Sequence, residues 1–156
     1  MTVPTTRPEG WPERLAAYVD AQGETPFAWD GVNDCATGFA GGAVEAVTGV
    51  HACPELVGVY SDEAGARAAI AADGGLEAAV TMRLGPPLPD PRLAQRGDVV
   101  LFSWQLDGGE PEERMGVVDT SGILTKGYPG GVAIVRIGRA RVAWPVGRVP
   151  DPIPEA

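Results

Sequence analysis

Cys35 is the residue of this 156-residue chain whose type and setting together point to nucleophilic chemistry. It follows Asn33-Asp34 and the aromatic run Phe27-Ala28-Trp29, and it opens a stretch with helical spacing. Asp34 is a good N-cap, which seats the thiol on the first helical turn, where unpaired N–H groups and the positive helix end favour a thiolate. The competing reading is a small buried apolar residue, a structural or vestigial thiol, because free cysteine is among the most buried residue types. A nucleophile also needs a base. The sole histidine, His51, follows Thr48-Gly49-Val50 past the predicted helix end, about 20 Å from Cys35 at a rise of about 1.5 Å per residue. It is therefore read as a surface histidine. Asp34 is expected to act as a cap rather than an acid, and Asp98 to fix a turn at a strand start. Trp29, Trp104 and Trp144 are expected to line a core or a groove.

The elements that must position these residues are legible in part. Trp11, Leu15, Ala16 and Val19 recur at helical spacing, with Pro12 in the tolerated first turn and Gly23 as the stop. A second helix is predicted from Cys35 to about Val47, closed by Thr48-Gly49. Gly38, Gly41 and Gly42 each cost it about 1 kcal/mol of propensity relative to alanine. Such a helix needs a packing reason, and close approach of its backbone to a sheet supplies one, with Ala36, Phe39, Ala40, Ala43 and Val47 facing inward. Ser61 can cap a third helix with Asp62-Glu63 in its first turn, and Gly74-Gly75 separate it from a fourth ending at Gly85. Pro86, Pro87, Pro89 and Pro91 form a stiff connector. From Arg96-Gly97 onward the spacing becomes that of strands: Asp98 to Phe102, Met115 to Asp119, Ile123 to Lys126, Val132 to Ile137 and Arg141 to Val146. Helices first and a small antiparallel sheet afterwards is an α+β plan.

Length and 44% hydrophobic content support one domain, over residues 1–150, with a short flexible N-terminus at 1–9 and a disordered tail at 151–156. A net charge of −9 with only 12 basic residues opposes binding to a phosphate backbone, so no nucleic-acid partner is expected. No apolar stretch reaches the roughly 20 residues that cross a bilayer, and Met1 to Gly10 lacks a signal-type apolar core, so the chain is expected to be made in the cytoplasm. Cys35 and Cys53 are then expected to stay reduced. Two distant cysteines and one histidine show no ligand spacing, so neither a metal nor a cofactor is expected.

The order of parts resembles the NlpC-type branch of the papain-like cysteine peptidases: an aromatic approach, Asp34-Cys35 opening a helix, Arg96-Gly97-Asp98-Val99-Val100 opening a strand, then Gly116-Val117-Val118. The resemblance implies a papain-like fold, with N-terminal helices packed on a small barrel-like antiparallel sheet, and cleavage of peptide or amide bonds in bacterial cell walls. In that family the strand after the Gly-Asp strand begins with a catalytic histidine in a His-Val-Gly sequence. Here the triplet is Arg114-Met115-Gly116, and an arginine cannot accept the proton. From Phe27 to Val146 the chain also resembles a family of small proteins encoded by tailed phages and prophages. The shared features are the Trp29…Asn33-Asp34-Cys35 approach, the Thr48-Gly49 stop, the Arg96 to Val100 strand and a late Ala143-Trp144…Val146-Gly147.

This second resemblance implies a virion or assembly role near the tail, with other tail proteins as partners and peptidoglycan as a further candidate. The expectation is a structural or assembly component built on a degenerate NlpC-like domain. A cysteine peptidase or amidase acting on peptidoglycan peptides during DNA entry is the alternative, and the absent histidine weighs against an enzyme. Cys35 is the candidate nucleophile; Arg114, Asp34 and Trp29 are candidate groove residues. The Pro-rich ends and the acidic segment Gly108 to Glu113 are the expected docking segments.

Overall fold

The structure, a computed structural model, describes residues 3–105 and 109–150. The predicted disordered tail at 151–156 and Gly108 of the acidic segment lie outside the described residues. Among the described residues the fold is α+β, with four α-helices leading to a five-stranded antiparallel sheet. No helix among the described residues is long and apolar enough to cross a membrane.

Helix α1 spans Trp11–Gln22, with proline in its first turn and Gly23 at its C-cap. Leu15 is buried, and Trp11, Tyr18 and Val19 pack beside it. Tyr18, not the exposed Ala16, completes the inward face. The predicted second helix is two pieces: a π-helical segment, Cys35–Ala40, and α2, Gly41–Thr48. Phe39 N–H donates to the Asp34 carbonyl at 2.8 Å, a five-residue step that widens the turn. Helix α3 covers Glu63–Ala72, capped by Asp62, which accepts from Gly65 N–H at 2.7 Å; Ser61 does not serve as the cap. Helix α4 covers Leu76–Leu84.

Strands β1 (Val99–Trp104), β2 (Glu112–Asp119), β3 (Gly122–Lys126), β4 (Val132–Val135) and β5 (Ala140–Trp144) lie in the order β4-β3-β2-β1-β5. The sheet is open, which corrects the expected barrel-like closure: β4 and β5 are its two edges and do not pair. Alternation divides β1 between two apolar layers. Val99 and Leu101 join Phe39, Ala43, Val47 and Leu15 on the helical side, while Val100 and Phe102 join Val118, Ile123 and Val135 on the other. The Pro-rich connector covers that second layer, where Leu88 is buried and its N–H donates to Ala143 O at 2.7 Å. The helix that Cys35 opens therefore packs on the sheet that begins after Gly97-Asp98, its first turns lying against β2 and β3, as the residue pattern predicts.

The glycines of the second helical region have a packing reason, but it is not the sheet. A Cβ on Gly38 would overlap the Val32 carbonyl, one on Gly41 would meet the His51 ring, and one on Gly42 would overlap the Tyr18 hydroxyl. The helix is pressed between a loop, α1 and the segment that follows it. Tyr18 uses the same approach to donate to the Gly38 and Phe39 carbonyls, at 3.1 and 3.0 Å.

Asp98 is fully buried just before β1 and gathers both ends of the described chain. Its carboxylate accepts from Val146 N–H (3.0 Å) and Gln95 N–H (2.8 Å), and it pairs with Arg7 (3.0 Å) and Arg148 (2.6 Å). Arg7 also donates to Val146 O and Arg96 O, both at 2.7 Å, and its guanidinium lies over the Trp11 ring. The N-terminal lead is thus anchored at Arg7. Breaking a buried ion pair by removing one partner strands the other charge, which costs about 3–5 kcal/mol. Asp98→Asn is expected to lower unfolding stability by that order in urea titration. Asp90→Asn, which breaks an exposed pair with Arg92, should leave the midpoint unchanged.

Candidate functional site

The site is built around a second buried carboxylate, Asp34. Its Oδ1 accepts from Gly38 N–H at 2.6 Å, and its Oδ2 accepts from Gly31 N–H at 3.0 Å and from the Tyr60 hydroxyl. One side chain thus joins the helix start, the loop before it and the segment leading to α3. The loop is shaped by Asp30, whose carboxylate accepts from the backbone N–H groups of Val32 (2.8 Å) and Asn33 (2.7 Å). Gly31, at φ +78°, lies so close to the Leu56 carbonyl that a side chain would not fit.

The aromatic wall is docked from the opposite direction. Lys126, fully buried at the end of β3, donates to Thr25 O at 2.9 Å, to the Thr25 hydroxyl and to Gln22 Oε1 at 3.3 Å. It is a cation at the C-terminal end of α1, where helix carbonyls favour positive charge, although burial lowers its pKa. Phe27 N–H donates to Pro129 O at 2.8 Å, and the Phe27 ring meets Trp29 and Tyr128 edge to face.

Between these supports lies a cavity of about 480 Å³, and Trp29, Asp34, Cys35 and Arg114 all line it, with Phe27, Tyr60 and the start of β2. A smaller, largely apolar cavity of about 60 Å³ adjoins it, sharing the walls Ala36, Thr37, Leu56, Ala69, Ile70 and Leu76. Glu110, Glu112 and Glu113 of the predicted docking segment stand at the larger cavity. Arg114 sits within β2 opposite Phe102, with 11% of its side chain exposed. Its ionic partner among the described residues is Glu112 Oε2, 3.6 Å away, and Arg67 shares that carboxylate through Oε1 at 3.3 Å.

Cys35 is half-buried, and burial pushes its thiol up from the ordinary value. A hydrogen bond from the Met115 backbone N–H and the Arg114 charge pull in the other direction without reversing the shift. The lowering expected from a helix start is therefore not obtained: desolvation outweighs the donors and the cation. Cys53 is a separate thiol, buried against the Thr37 carbonyl and pushed up to about 11.

His51 is placed differently from the expectation. The segment after Gly49 folds back along the helix, so the ring packs on Gly41 instead of standing free beyond the helix end. It is half-buried, burial lowers its pKa, and its Nδ1 accepts from Cys53 N–H at 3.0 Å. It does not line the Cys35 cavity. Tyr60, Arg67 and Lys126 are site or support residues that the sequence reading did not single out. Tyr60 meets a carboxylate 26 positions earlier, and no local spacing announces such a pair. Among the described residues no group of three or more His, Cys, Asp and Glu side chains gathers as a metal site.

Fold and site together define an α+β protein with a half-buried cysteine at a helix start, facing an arginine-lined cavity. The chain belongs to the family described as Domain of unknown function (DUF6950), which matches residues 6–146. No curated protein and no solved structure matches it.

The raised thiol gives a direct expectation. Alkylation of Cys35 by iodoacetamide should follow a thiolate curve centred above the ordinary value of about 8.5, and should be slow at neutral pH. Arg114→Met removes the cation that favours the thiolate, so the curve should move to still higher pH. Mass-resolved alkylation rates in a Cys53→Ala background check both statements; a midpoint below 8 would show that the helix end outweighs burial.

Proposed function

We propose that this chain is a non-hydrolytic binding module on an NlpC-like, papain-like framework, serving as a structural or assembly component at the tail or tail tip of a tailed phage particle. The observation that carries the first half is the pairing of Cys35 with Arg114 across one cavity while His51 is held elsewhere. Hydrolysis through a thiol needs a group that takes a proton and returns it to the leaving amine, and a guanidinium does neither at any relevant pH. Three of the four carboxylates that line the cavity are already engaged. Asp34 holds three donors, Glu112 faces two arginines, and Glu113 lies 3.8 Å from Arg141.

The virion assignment is supported by the sequence resemblance to phage-encoded proteins. The acidic balance disfavours nucleic acid and leaves another protein as the natural macromolecular partner. On this reading the protein is made in the host cytoplasm and incorporated through contacts with other tail proteins. The second reading, a cysteine peptidase or amidase acting on peptidoglycan peptides, is favoured by the exposure of Cys35 to the cavity.

Two measurements separate the readings. Incubation with peptidoglycan stem peptides, followed by mass spectrometry, is expected to give no cleavage product; turnover that disappears in Cys35→Ser would establish the hydrolase instead. Purified particles are expected to contain the chain. Its presence in the infected cytoplasm alone would remove the permanent structural role and leave an assembly factor or an enzyme.

A further inference from the structure

The wall of the Cys35 cavity contains two groups with unused bonding capacity, and both suit the same kind of ligand. One is Arg114. Its side chain is largely buried in the cavity wall, yet its ionic partner among the described residues stands at 3.6 Å, beyond an ordinary hydrogen bond, and is shared with Arg67. A planar fork of donors in such a setting matches a carboxylate, which accepts two parallel N–H bonds.

The other is the edge of β2. Val118 exchanges hydrogen bonds with Gly97 and Asp98 on the β1 side, so by alternation Glu113, Met115 and Val117 direct their N–H and C=O groups to the opposite edge. There, β3 pairs only from Val117 to Asp119. The Met115 carbonyl accepts from the Thr125 hydroxyl at 2.8 Å and its N–H serves the Cys35 sulfur. Before that point no strand among the described residues covers the edge, and Glu113 stands there at the cavity. A free strand edge is a template for an added strand.

We propose that this cavity receives the carboxyl-terminal end of an extended partner polypeptide, its terminal carboxylate on Arg114 and its last peptide groups paired with the β2 edge at Glu113. This rests on the non-hydrolytic binding reading and specifies its ligand. The surroundings discriminate against other anions. Glu110, Glu112 and Glu113 stand at the cavity and the chain carries a net charge of −9, so a polyphosphate is repelled while a single carboxylate is neutralised by one arginine. Phe27, Trp29, Leu56 and Ile70 offer apolar wall to the side chains that precede the terminus.

The test is calorimetric titration of the whole protein with acetyl-Ala-Val-Leu as free acid and as carboxamide, with inorganic phosphate and with a peptide ending in D-alanyl-D-alanine. The free acid should bind at least about tenfold more tightly than the amide, as expected for a charge-assisted bidentate contact. Arg114→Met should abolish the difference and Arg114→Lys should restore part of it. Glu113→Pro, which blocks strand addition at a position not bonded to β1, should weaken the acid and the amide together. Equal binding of acid and amide, no binding of the acid, or an equal response to phosphate would overturn the proposal. So would preference for the D-alanyl peptide, which would assign the cavity to a cell-wall ligand. If Arg114→Met fails to fold, the Glu113→Pro and acid-against-amide comparisons still decide. Cleavage of the peptide dependent on Cys35 is a different result: it would sink the non-hydrolytic reading and leave the carboxylate preference standing.

Discussion

The Asp98 carboxylate is the constraint on which the rest of the structure depends, because it is where both ends of the described chain meet the first strand. A fully buried carboxylate is costly unless its charge is matched and its lone pairs are filled. Here two backbone N–H groups and two guanidinium groups do so. The geometry this requires is global. Arg7 must arrive ahead of α1, Val146 must leave β5 at the level of the β1 start, and Arg148 must turn back. Two cations on one anion leave a local positive excess, which the Arg96 and Val146 carbonyls and the Trp11 ring face disperse around Arg7. The net worth of such a cluster lies less in stability than in fixing one arrangement of the ends.

Asp34 repeats the same logic on a smaller scale and sets the chemistry of the site. Its carboxylate is filled by two backbone N–H groups and the Tyr60 hydroxyl, so it is a fastener rather than an acid or base. By accepting from Gly38, four positions on, it suits the wider π-helical turn, and that turn brings the backbone at Gly38 against Val32 and Asn33. Glycine at 38 is thus a consequence of where Asp34 holds the loop. The packing that fixes Cys35 also partly desolvates its thiol, and this is why a residue at a helix start, normally favoured as a thiolate, has its pKa raised.

Much of this was legible in the residue order, and what was not has a common physical cause. Helix α1, the Asp34 cap, the role of Asp98 in the turn before β1 and the passage from helices to antiparallel strands follow from local spacing and capping chemistry, which nearby residues determine. The π-helical turn, the return of His51 onto Gly41, the Tyr60 to Asp34 bond and the Lys126 cap depend on residues far apart in the chain, and neither periodicity nor propensity records such pairs. The glycines at 38, 41 and 42 lie between the two cases: their cost signals a close approach, but only the structure identifies the neighbours as a loop, an imidazole and a tyrosine. The open sheet belongs with the second group, since closure depends on whether the edge strands β4 and β5 meet.

On the proposed reading, the chemical meaning of arginine at position 114 extends past its inability to act as a base. Thiol hydrolysis requires a proton to move twice, off the nucleophile and onto the leaving amine, and then a water to be deprotonated against the acyl intermediate. A cation beside the sulfur eases only the first of these. On the proposed reading, a thiolate at Cys35 would attack a carbonyl with no histidine in the cavity wall to release the amine, and the tetrahedral adduct would revert. On that reading the same guanidinium, in the wall of a cavity beside a free strand edge, is suited to hold a carboxylate in place. On the proposed reading, one residue type at one position suits the site to retaining the end of a peptide rather than turning it over.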